Sequence, residues 1–486
     1  MRTLLMVLIG LALCLGARAA TPPGTNVLTY HGDPQRSGNY IVPGLTWKAT
    51  ETMHRDAGFD GTVEGPVYAQ PLYWRAGQRG EIIVATESDV VQALDAISGR
   101  TIWRVVLGHP VPRAAMPCGN INPLGITGTP VIEAASGAIY LDAMVDRDGV
   151  PAHLVFGLSL HNGGVLPGWP VDVQAALRAH AVSFIPRFQN QRAALGLLNR
   201  RVYIAYSGHF GDCGPYHGIV LGLDVNPPHA TVVWSTRGPK GGIWAPGGIS
   251  ADRGFLFMTT GNTETGESWA DGEGVFRLAP DLAHSLNPRD FYAPRNWKQL
   301  DDEDLDMSGV SPLPFDVGDA ARLLALGKDG NAYLLNRDNL GGIGGQILTQ
   351  PVAGIPIITA PAAFPAPGRE VVVFRAPDPV CPAGESGRVV ALAVTASSVA
   401  PLWCARLDGR GSAIVTTTDG AAQPVVWIAG AEGDDRLRAF RGDIGAPLWV
   451  SRQALPGLRH FVTPMMAGDR LYIAGDRRVY AFVWGR

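Results

Sequence analysis

The sequence has little lysine and little charge of either sign. Of its 40 basic residues 36 are arginine, and the lysines are Lys48, Lys240, Lys298 and Lys328. Charged residues make up 17% of the chain, and the formal net charge is −3. A chain with this balance has no general electrostatic attraction to nucleic acids or to acidic membrane surfaces. We therefore predict no nucleic-acid partner.

Several familiar motifs are also missing. The chain has no Gly-x-Ser-x-Gly elbow, no Gly-x-x-x-x-Gly-Lys phosphate loop and no Cys-x-x-Cys-His word for attaching haem. After the first twenty residues, no apolar stretch reaches the roughly 18 uncharged residues that a membrane-spanning helix needs. The sequence thus predicts a mature chain without a transmembrane segment and without covalently bound haem.

The first twenty residues are typical of a secretory signal peptide. Met1-Arg2 is a short basic start, residues 4–16 are apolar, and Ala17-Arg18-Ala19 places small residues where a signal peptidase cleaves. We predict a signal peptide over residues 1–19, a single mature domain over residues 20–486, and export to the periplasm or the medium. Cys14 offers a lipid-anchored alternative, which the leucine before it disfavours.

Export also bears on the cysteines. The four that remain in the mature chain are Cys118, Cys213, Cys381 and Cys404. An even number in an oxidising compartment fits two disulfides, but four cysteines pair in three ways that the sequence does not rank. His209, Cys213 and His217 are spaced like metal ligands, yet the glycines and proline between them disfavour the helix that would bring them together.

Glycine and proline are abundant, with 61 and 38 residues, and a repeat of short strands and turns runs along the chain. Its fullest copy, residues 81–103, has two apolar strands, a glycine turn at Gly99 and a final Trp103. The other copies are residues 157–169, 222–234, 255–278, 323–335, 391–403, 439–449 and 471–482. Copies spaced about 55 residues apart match the blades of a propeller. We predict an all-β fold, one eight-bladed β-propeller of four-stranded antiparallel blades, with the recurring tryptophan packed between neighbouring blades.

The blade phrase, Ala-x-Asp followed by glycine and tryptophan, resembles the tryptophan-docking repeat of the quinoprotein (PQQ-dependent) alcohol dehydrogenases. Residues 30–38, Tyr-His-Gly-Asp-Pro-Gln-Arg-Ser-Gly, are similar to the N-terminal segment of those enzymes. The resemblance spans residues 26–486. It implies a planar quinone cofactor, PQQ, on the propeller axis, a Ca²⁺ ion beside it, and oxidation of an alcohol or a sugar.

Two site positions of that family fall in residues 241–262. Trp244, in Gly-Gly-Ile-Trp-Ala-Pro-Gly-Gly, matches the tryptophan on which the quinone lies, and Asn262, in Thr-Gly-Asn, matches a calcium ligand. The resemblance therefore implies that Trp244 binds the cofactor and that Asn262 offers its amide oxygen to the metal. The alternative is a blade-packing tryptophan followed by an ordinary Gly-Asn turn.

Asp306 and Lys328 match two further positions. Aligned on Gly309, Asp306 takes the place of the catalytic base, and aligned on Gly330, Lys328 takes the place of the basic residue beside the quinone oxygens. The membrane glucose dehydrogenases of the family have lysine there. The resemblance implies that Asp306 is catalytic and binds the metal and that Lys328 binds the cofactor. The alternative is a solvated acidic loop over residues 301–304 with a turn lysine.

The cysteines depart from the family pattern. Cys118, in Pro-Cys-Gly-Asn, stands where the family has two adjacent cysteines over the quinone, and Cys213 stands where it has a calcium-binding glutamate. Sulfur is a poor partner for Ca²⁺, which prefers oxygen. Because both cysteines align with positions on one rim, the resemblance implies a disulfide Cys118–Cys213 that joins two blades, and Cys381–Cys404 as the second pair.

Three functions are compatible with these features. In an exported quinoprotein-like dehydrogenase, which is our leading interpretation, Asp306 takes the hydroxyl proton while Lys328, with Ca²⁺ at Asn262 and Asp306, stabilises developing charge. Such an enzyme takes a small alcohol or sugar and passes electrons to a separate acceptor. The second is a scaffold without cofactor that binds cell-envelope proteins, resembling the propeller lipoprotein of outer-membrane β-barrel assembly. The third is a propeller that binds a ligand or metal without redox chemistry.

Overall fold

The computed structural model of the protein describes residues 26–264 and 266–485, and these residues form eight β-sheets in succession. Each sheet is a blade built mainly from strands that follow one another along the chain, which confirms the predicted eight-bladed propeller. The predicted signal peptide, residues 1–19, and Cys14 lie outside the described residues. None of the helices in the described part of the chain has the length and apolar character needed to cross a membrane.

Blades 1 to 4 occupy the first half of the chain. Blade 1 consists of Leu72–Ala76, Arg79–Ala85, Val90–Asp95 and Thr101–Val106. Blade 2 consists of Val131–Glu133, Ala138–Arg147, Val150–Ser159 and Val171–Asp172. Blade 3 consists of Gln189–Asn190, Gly196–Leu198, Arg201–Gly208, Ile219–Asp224 and Thr231–Ser235. Blade 4 consists of Ser250–Asp252, Phe255–Thr259, Val275–Leu278, Phe291–Ala293 and Gly342–Ile343.

Blades 5 to 8 complete the ring. Blade 5 consists of Leu313–Val317, Ala320–Leu326, Asn331–Asn336 and Leu348–Pro351. Blade 6 consists of Ala362–Ala366, Arg369–Arg375, Val389–Val394 and Val399–Ala405. Blade 7 consists of Asn39–Ile41, Ile414–Thr417, Val425–Ala429, Leu437–Arg441 and Pro447–Val450. Blade 8 consists of Met465–Ala467, Arg470–Gly475, Arg478–Val483 and His54–Arg55.

Helices in the described residues are short and lie between strands. The α-helices are Trp47–Thr50, Val173–Arg178 and Trp297–Asp302, and the 3-10 turns are Tyr30–Gly32, Arg113–Ala115, Pro186–Phe188 and Met307–Gly309. The middle strands of the blades are covered on both faces, so Val425–Ala429 is a continuous run of buried apolar residues instead of an alternating one. The outer strand Pro447–Val450 is partly exposed.

Three blades have a fifth strand, where the repeat predicted four throughout. In blade 7 the addition, Asn39–Ile41, pairs in parallel with Ile414–Thr417, and in blade 4 Gly342–Ile343 pairs in parallel with Phe291–Ala293. Blade 3 gains its fifth strand because two short segments pair with the same partner. Two of the added strands come from segments distant in sequence, and a local sequence repeat does not predict pairing between distant segments.

The recurring tryptophan joins neighbouring blades, as predicted. Trp103 of blade 1 donates its indole N–H to the carbonyl of Leu160 in blade 2, at 2.8 Å. Trp403 of blade 6 does the same to Gly442 of blade 7, at 2.8 Å. Each indole also packs against the glycine turn of the next blade, and these glycines are Gly163 and Gly445. The tryptophan and glycine of the repeat therefore pack one blade against the next.

We expect Gly445→Ala to lower the free energy of unfolding by more than the cost of placing alanine in a left-handed backbone conformation. Gly445 has φ +69°, and a methyl group there would lie 2.5 Å from the Trp403 ring. The left-handed backbone costs an alanine about 1–2 kcal/mol, and forcing the indole aside adds roughly 1–3 kcal/mol. Gly468→Ala is the matched control, since Gly468 has φ +60° and nothing within 4 Å of the added methyl. Urea unfolding of both variants measures the difference; equal losses would contradict the docking role.

Residues 27–38, which we call the axial segment, run through the centre of the ring. Its backbone carbonyls accept hydrogen bonds from the innermost strands of blades 2, 4, 6 and 7, in the pairs Leu28–Ile132, Pro34–Ala251, Ser37–Ala363 and Gly38–Val415. The buried Arg36 guanidinium donates to the carbonyls of Leu195 and Ile249, both at 2.9 Å. The axial segment therefore ties opposite sides of the ring together.

A buried carboxyl group beside blade 1 makes stability depend on pH. Asp89 is fully buried, neither of its carboxyl oxygens has a hydrogen-bond partner among the described residues, and burial together with Glu87 and Asp142 raises its pKa to about 9. An unfolded aspartate has a pKa of about 3.9. Between these values the folded chain keeps a proton that the unfolded chain has released, so stability falls as the pH rises.

We therefore expect Asp89→Asn to stabilise the fold by roughly 1–3 kcal/mol at pH 8 and to have little effect near pH 4. Asp95→Asn is the control of opposite sign. Although partial burial acts the other way, hydrogen bonds from Ser98 and Ile97 lower the pKa of Asp95, so its loss should cost stability at neutral pH and not in acid. Thermal unfolding from pH 4 to 8 tests both; an Asp89→Asn effect that does not vary with pH would contradict the assignment.

Candidate active site on the propeller axis

A cavity of about 590 Å³ lies on the axis. Its walls include loops at or before the innermost strands of blades 2 to 8, represented by Asn120, Arg192, Trp244, Asp306, Ile358, Arg410 and His460. Further lining residues, such as Lys328 and Arg375, lie at or just after the ends of the strands that follow. A smaller pocket shares Arg192, His460 and Phe461 with this cavity and reaches Tyr30 of the axial segment. The smaller pocket therefore lies between the cavity and the axial segment.

Asp306 and Lys328 form an ion pair in the wall of the cavity. The Lys328 ammonium donates to the Asp306 carboxylate at 2.8 Å. The Asp306 side chain is 7% exposed and the Lys328 side chain is 17% exposed. The same ammonium donates to the carbonyl of Asp304 at 2.8 Å and to its carboxylate at 3.0 Å. The other Asp306 oxygen accepts the backbone N–H of Asn262 at 3.1 Å. Residues 302–304 are exposed, as the alternative of a solvated acidic loop expects, whereas the Asp306 and Lys328 side chains are largely buried.

The local sequence explains how Asp306 is held. The turn that follows it, Met307–Gly309, is fixed because the buried Glu273 carboxylate accepts the N–H of Met307 at 2.7 Å. Gly261 of the Thr-Gly-Asn word leaves room for the carboxylate, since a methyl group at Gly261 would overlap an Asp306 oxygen. The glycine is thus required by a close approach as well as by a turn.

Burial and charge shift the pKa values of this pair. Burial raises the pKa of Asp306, and the Lys328 ammonium partly offsets that rise. Burial alone would lower the pKa of Lys328, but the carboxylates of Asp306 and Asp304 outweigh it and raise the value. The ammonium therefore stays protonated across the physiological range.

Trp244 lies in the same wall. Its side chain is half-buried, so part of the indole faces the cavity, and the Lys328 ammonium lies 5.8 Å from the ring centroid. Of the four residues that the sequence marked for cofactor or metal, the structure brings Trp244, Asp306 and Lys328 together as lining residues, and Asn262 joins them through its backbone N–H.

Three arginines on the cavity wall were not singled out from the sequence. Arg192, Arg375 and Arg410 line the cavity, and none makes an ion pair with any residue that the structure describes. Arg375 is only 8% exposed; burial and the neighbouring Arg388 and Arg410 lower its pKa. Guanidinium groups grouped without carboxylate partners form a site for an anion with several negative groups.

Two histidines also line the cavity. Burial lowers the pKa of His209 to about 4, so its ring is neutral at physiological pH. His460 hydrogen-bonds to Glu432 at 2.7 Å, and burial lowers its pKa as well. The lasting positive charge of the cavity therefore comes from lysine and arginine.

The structure contains both disulfides that the resemblance implied, Cys118–Cys213 and Cys381–Cys404. The first spans 95 residues, joins the loop before blade 2 to blade 3, and lies beside Gly211 and Asp212 at the rim of the cavity. The second spans 23 residues. Because Cys213 is bonded to Cys118, it is not available to a zinc site with His209 and His217.

The described residues do not fit a calcium site. Across 26–264 and 266–485, no group of three histidine, cysteine, aspartate or glutamate side chains is arranged to hold a metal ion. Both oxygens of Asp306 already accept hydrogen bonds, one from Asn262 and one from the Lys328 ammonium. The calcium ligands Asn262 and Asp306 stay a prediction that this geometry does not support.

Comparison with known proteins identifies the fold. No protein-family model and no curated protein matches the chain in sequence. A quinohemoprotein alcohol dehydrogenase from Pseudomonas putida HK5 has a TM-score of 0.70 at 13% identity, over 96% of this chain and 81% of that one. A europium-containing methanol dehydrogenase has a TM-score of 0.65 at 14% identity, over 93% and 90%. BamB from Moraxella catarrhalis has a TM-score of 0.52 at 13% identity, over 89% and 98%.

At these identities the likeness shows the fold. The chain has the eight-bladed architecture of the quinoprotein alcohol dehydrogenases, as the sequence resemblance predicted. Its sequence differs from theirs at most positions. BamB shares the propeller with less similarity.

Proposed function

We propose that the chain is a quinone-dependent dehydrogenase that binds PQQ on the propeller axis and oxidises the CH–OH group of an alcohol or sugar. The observation that supports this most is the composition of the cavity, where an indole, an Asp–Lys pair and three arginines without carboxylate partners line one space. PQQ is a flat molecule with three carboxylates. Aromatic surface suits its ring system, and guanidinium groups suit its carboxylates.

The residues present fit such a quinone, and their roles follow from their chemistry. Trp244 would support the ring, while Arg192, Arg375 and Arg410 would bind the carboxylates. Lys328 would place a positive charge beside the reacting oxygens. Asp306 would accept the proton of the substrate hydroxyl, which a buried carboxylate with a raised pKa does more readily than a solvated one. When bound, the quinone supplies the capacity to take two electrons with the hydrogen from the substrate carbon.

The proposal includes export and a separate electron acceptor. Two disulfides suit an oxidising compartment outside the cytoplasm, which agrees with the signal peptide predicted over residues 1–19. The electrons that the quinone takes must then leave to another molecule, because the sequence has no Cys-x-x-Cys-His word for a haem of its own.

Calorimetric titration of the purified mature chain with PQQ tests the proposal. We expect binding in the micromolar range or tighter, at least tenfold weaker binding by an Arg375→Gln/Arg410→Gln variant, and unchanged binding by Arg452→Gln, which alters an exposed arginine outside the cavity. Affinity should also fall as salt is added, because charges carry much of the recognition.

Absence of binding at high micromolar PQQ would overturn the proposal. A cofactor-free scaffold for envelope proteins would then be the better interpretation, and pull-down with the mature chain as bait would be the next step. Equal binding by wild type and the double arginine variant would show instead that PQQ binds elsewhere.

A further inference from the structure

The Lys328 ammonium has the surroundings that a metal ion would have. Three oxygens point at it: the Asp306 carboxylate at 2.8 Å, the Asp304 carbonyl at 2.8 Å and the Asp304 carboxylate at 3.0 Å. Carboxylate and carbonyl oxygens are the ligands of hard cations such as Ca²⁺. The position is mostly shielded from water, since the Lys328 side chain is 17% exposed.

The Asp306 carboxylate already has a cationic partner. Asp306 is nearly buried and has one ammonium partner, while Asp304 is 64% exposed and is screened by water as well. A divalent ion placed against the same carboxylates would meet the ammonium within a few ångströms, where like charges in a shielded site repel strongly. A divalent cation and the Lys328 ammonium would therefore compete for the same oxygens.

Cys213 supplies an independent observation. The resemblance aligned this position with a glutamate ligand of calcium, but its sulfur is bonded to Cys118 and offers no oxygen. The second oxygen of Asp306 accepts a hydrogen bond from the backbone N–H of Asn262. The ligand positions of Cys213 and Asp306 therefore already have other partners.

We propose that the Lys328 ammonium substitutes for the divalent cation in this cavity, so that the site binds its anionic quinone without a metal. The part of this inference that concerns quinone binding rests on the function proposed above, whereas the exclusion of the metal by Lys328 does not. The ammonium provides the positive charge that would otherwise come from Ca²⁺, and it does so as part of the chain.

The first test uses the metal alone. Calorimetric titration of the wild-type mature chain, dialysed against chelator, should show no site for Ca²⁺ or La³⁺ tighter than about 1 mM, the weak end of protein calcium sites. Lys328→Ala uncovers the three oxygens and should bind Ca²⁺ at least tenfold more tightly than wild type. Lys328→Arg keeps a positive charge and should show no gain.

Lys240→Ala is the matched control. Lys240 is also a shielded lysine, 15% exposed and paired with Glu264, but it does not line the cavity. It should gain no Ca²⁺ affinity. A wild-type Ca²⁺ site that Asp306→Asn abolishes would overturn the proposal, and so would equal Ca²⁺ binding by Lys328→Ala and Lys240→Ala. If Lys328→Ala does not fold, the wild-type and Lys328→Arg titrations still decide.

The second test uses PQQ. The affinity of the wild type, followed by tryptophan fluorescence, should differ by less than twofold between EDTA and CaCl₂. In EDTA, Lys328→Ala should bind PQQ at least tenfold more weakly, and added Ca²⁺ should recover part of the loss. Binding that requires Ca²⁺ in the wild type would overturn the substitution. Failure of PQQ to bind under either condition would refute the proposed function, and the metal titrations would still test the exclusion.

Discussion

Asp306→Asn is expected to lower the turnover of an alcohol or sugar by about 10²–10⁴-fold, the contribution of a positioned general base. The amide has nearly the same shape and can still accept the N–H of Asn262, but it cannot take a hydroxyl proton. Reduction of an artificial electron acceptor by the PQQ-loaded enzyme, across a panel of alcohols and aldoses, measures the effect. PQQ affinity, measured separately by calorimetry, should stay within about tenfold of wild type because a chemical role acts on the rate.

Asp304→Asn is the control for this experiment. Its carboxylate also contacts Lys328 at 3.0 Å, but it is 64% exposed and screened by water. We expect a loss of turnover of less than about tenfold. If the two variants lose the same activity, the role of Asp306 is to hold Lys328 and not to accept the proton.

Replacing both cysteines of the Cys118–Cys213 bridge with serine is expected to lower the free energy of unfolding by several kcal/mol. A cross-link over 95 residues restricts the unfolded chain by about 4.7 kcal/mol in the chain-entropy account, and measured losses reach about 5 kcal/mol. Because the bridge lies at the rim of the cavity, PQQ affinity should fall as well. Urea unfolding and calorimetry follow the two effects.

The Cys381–Cys404 bridge provides the comparison. Its loop has 23 residues, so its loss should cost about 3.4 kcal/mol in the same account. It does not line the cavity, and PQQ affinity should stay unchanged when both of its cysteines are serine. Loss of affinity in both double variants would mean that general destabilisation, and not the rim, controls binding.

The fold was readable from the sequence because propeller blades are local. The strands of a blade follow one another, so a pattern such as residues 81–103 contains a pairing, a turn and the docking tryptophan together. Pairings between distant segments were not readable. His54–Arg55 completes blade 8 at the other end of the chain, and no local pattern announces that contact.

Residues of the candidate site could be predicted from the sequence where the residue type was rare or where it lay in a motif that resembles the family's. Lys328 was noticeable among four lysines, and Trp244 and Asp306 stood beside characteristic glycines. Arg375 and Arg410 were hidden among 36 arginines. One signal could have found part of the set: Trp244, Asp306, Arg410 and His460 each lie four to seven residues before an innermost strand, beginning at Ser250, Leu313, Ile414 and Met465 respectively.

The axial segment affects how substrate, product and electron acceptor would reach the cavity. Residues 27–38 occupy the centre of the ring, and in the proposed enzyme this would leave one mouth through which molecules enter and leave the cavity. Alcohol, oxidised product and electron acceptor would all use that one opening. An acceptor protein docked over it would keep out the next alcohol, so the two halves of the reaction would alternate. The kinetics of the proposed enzyme should then be ping-pong, with each substrate inhibiting the turn of the other at high concentration.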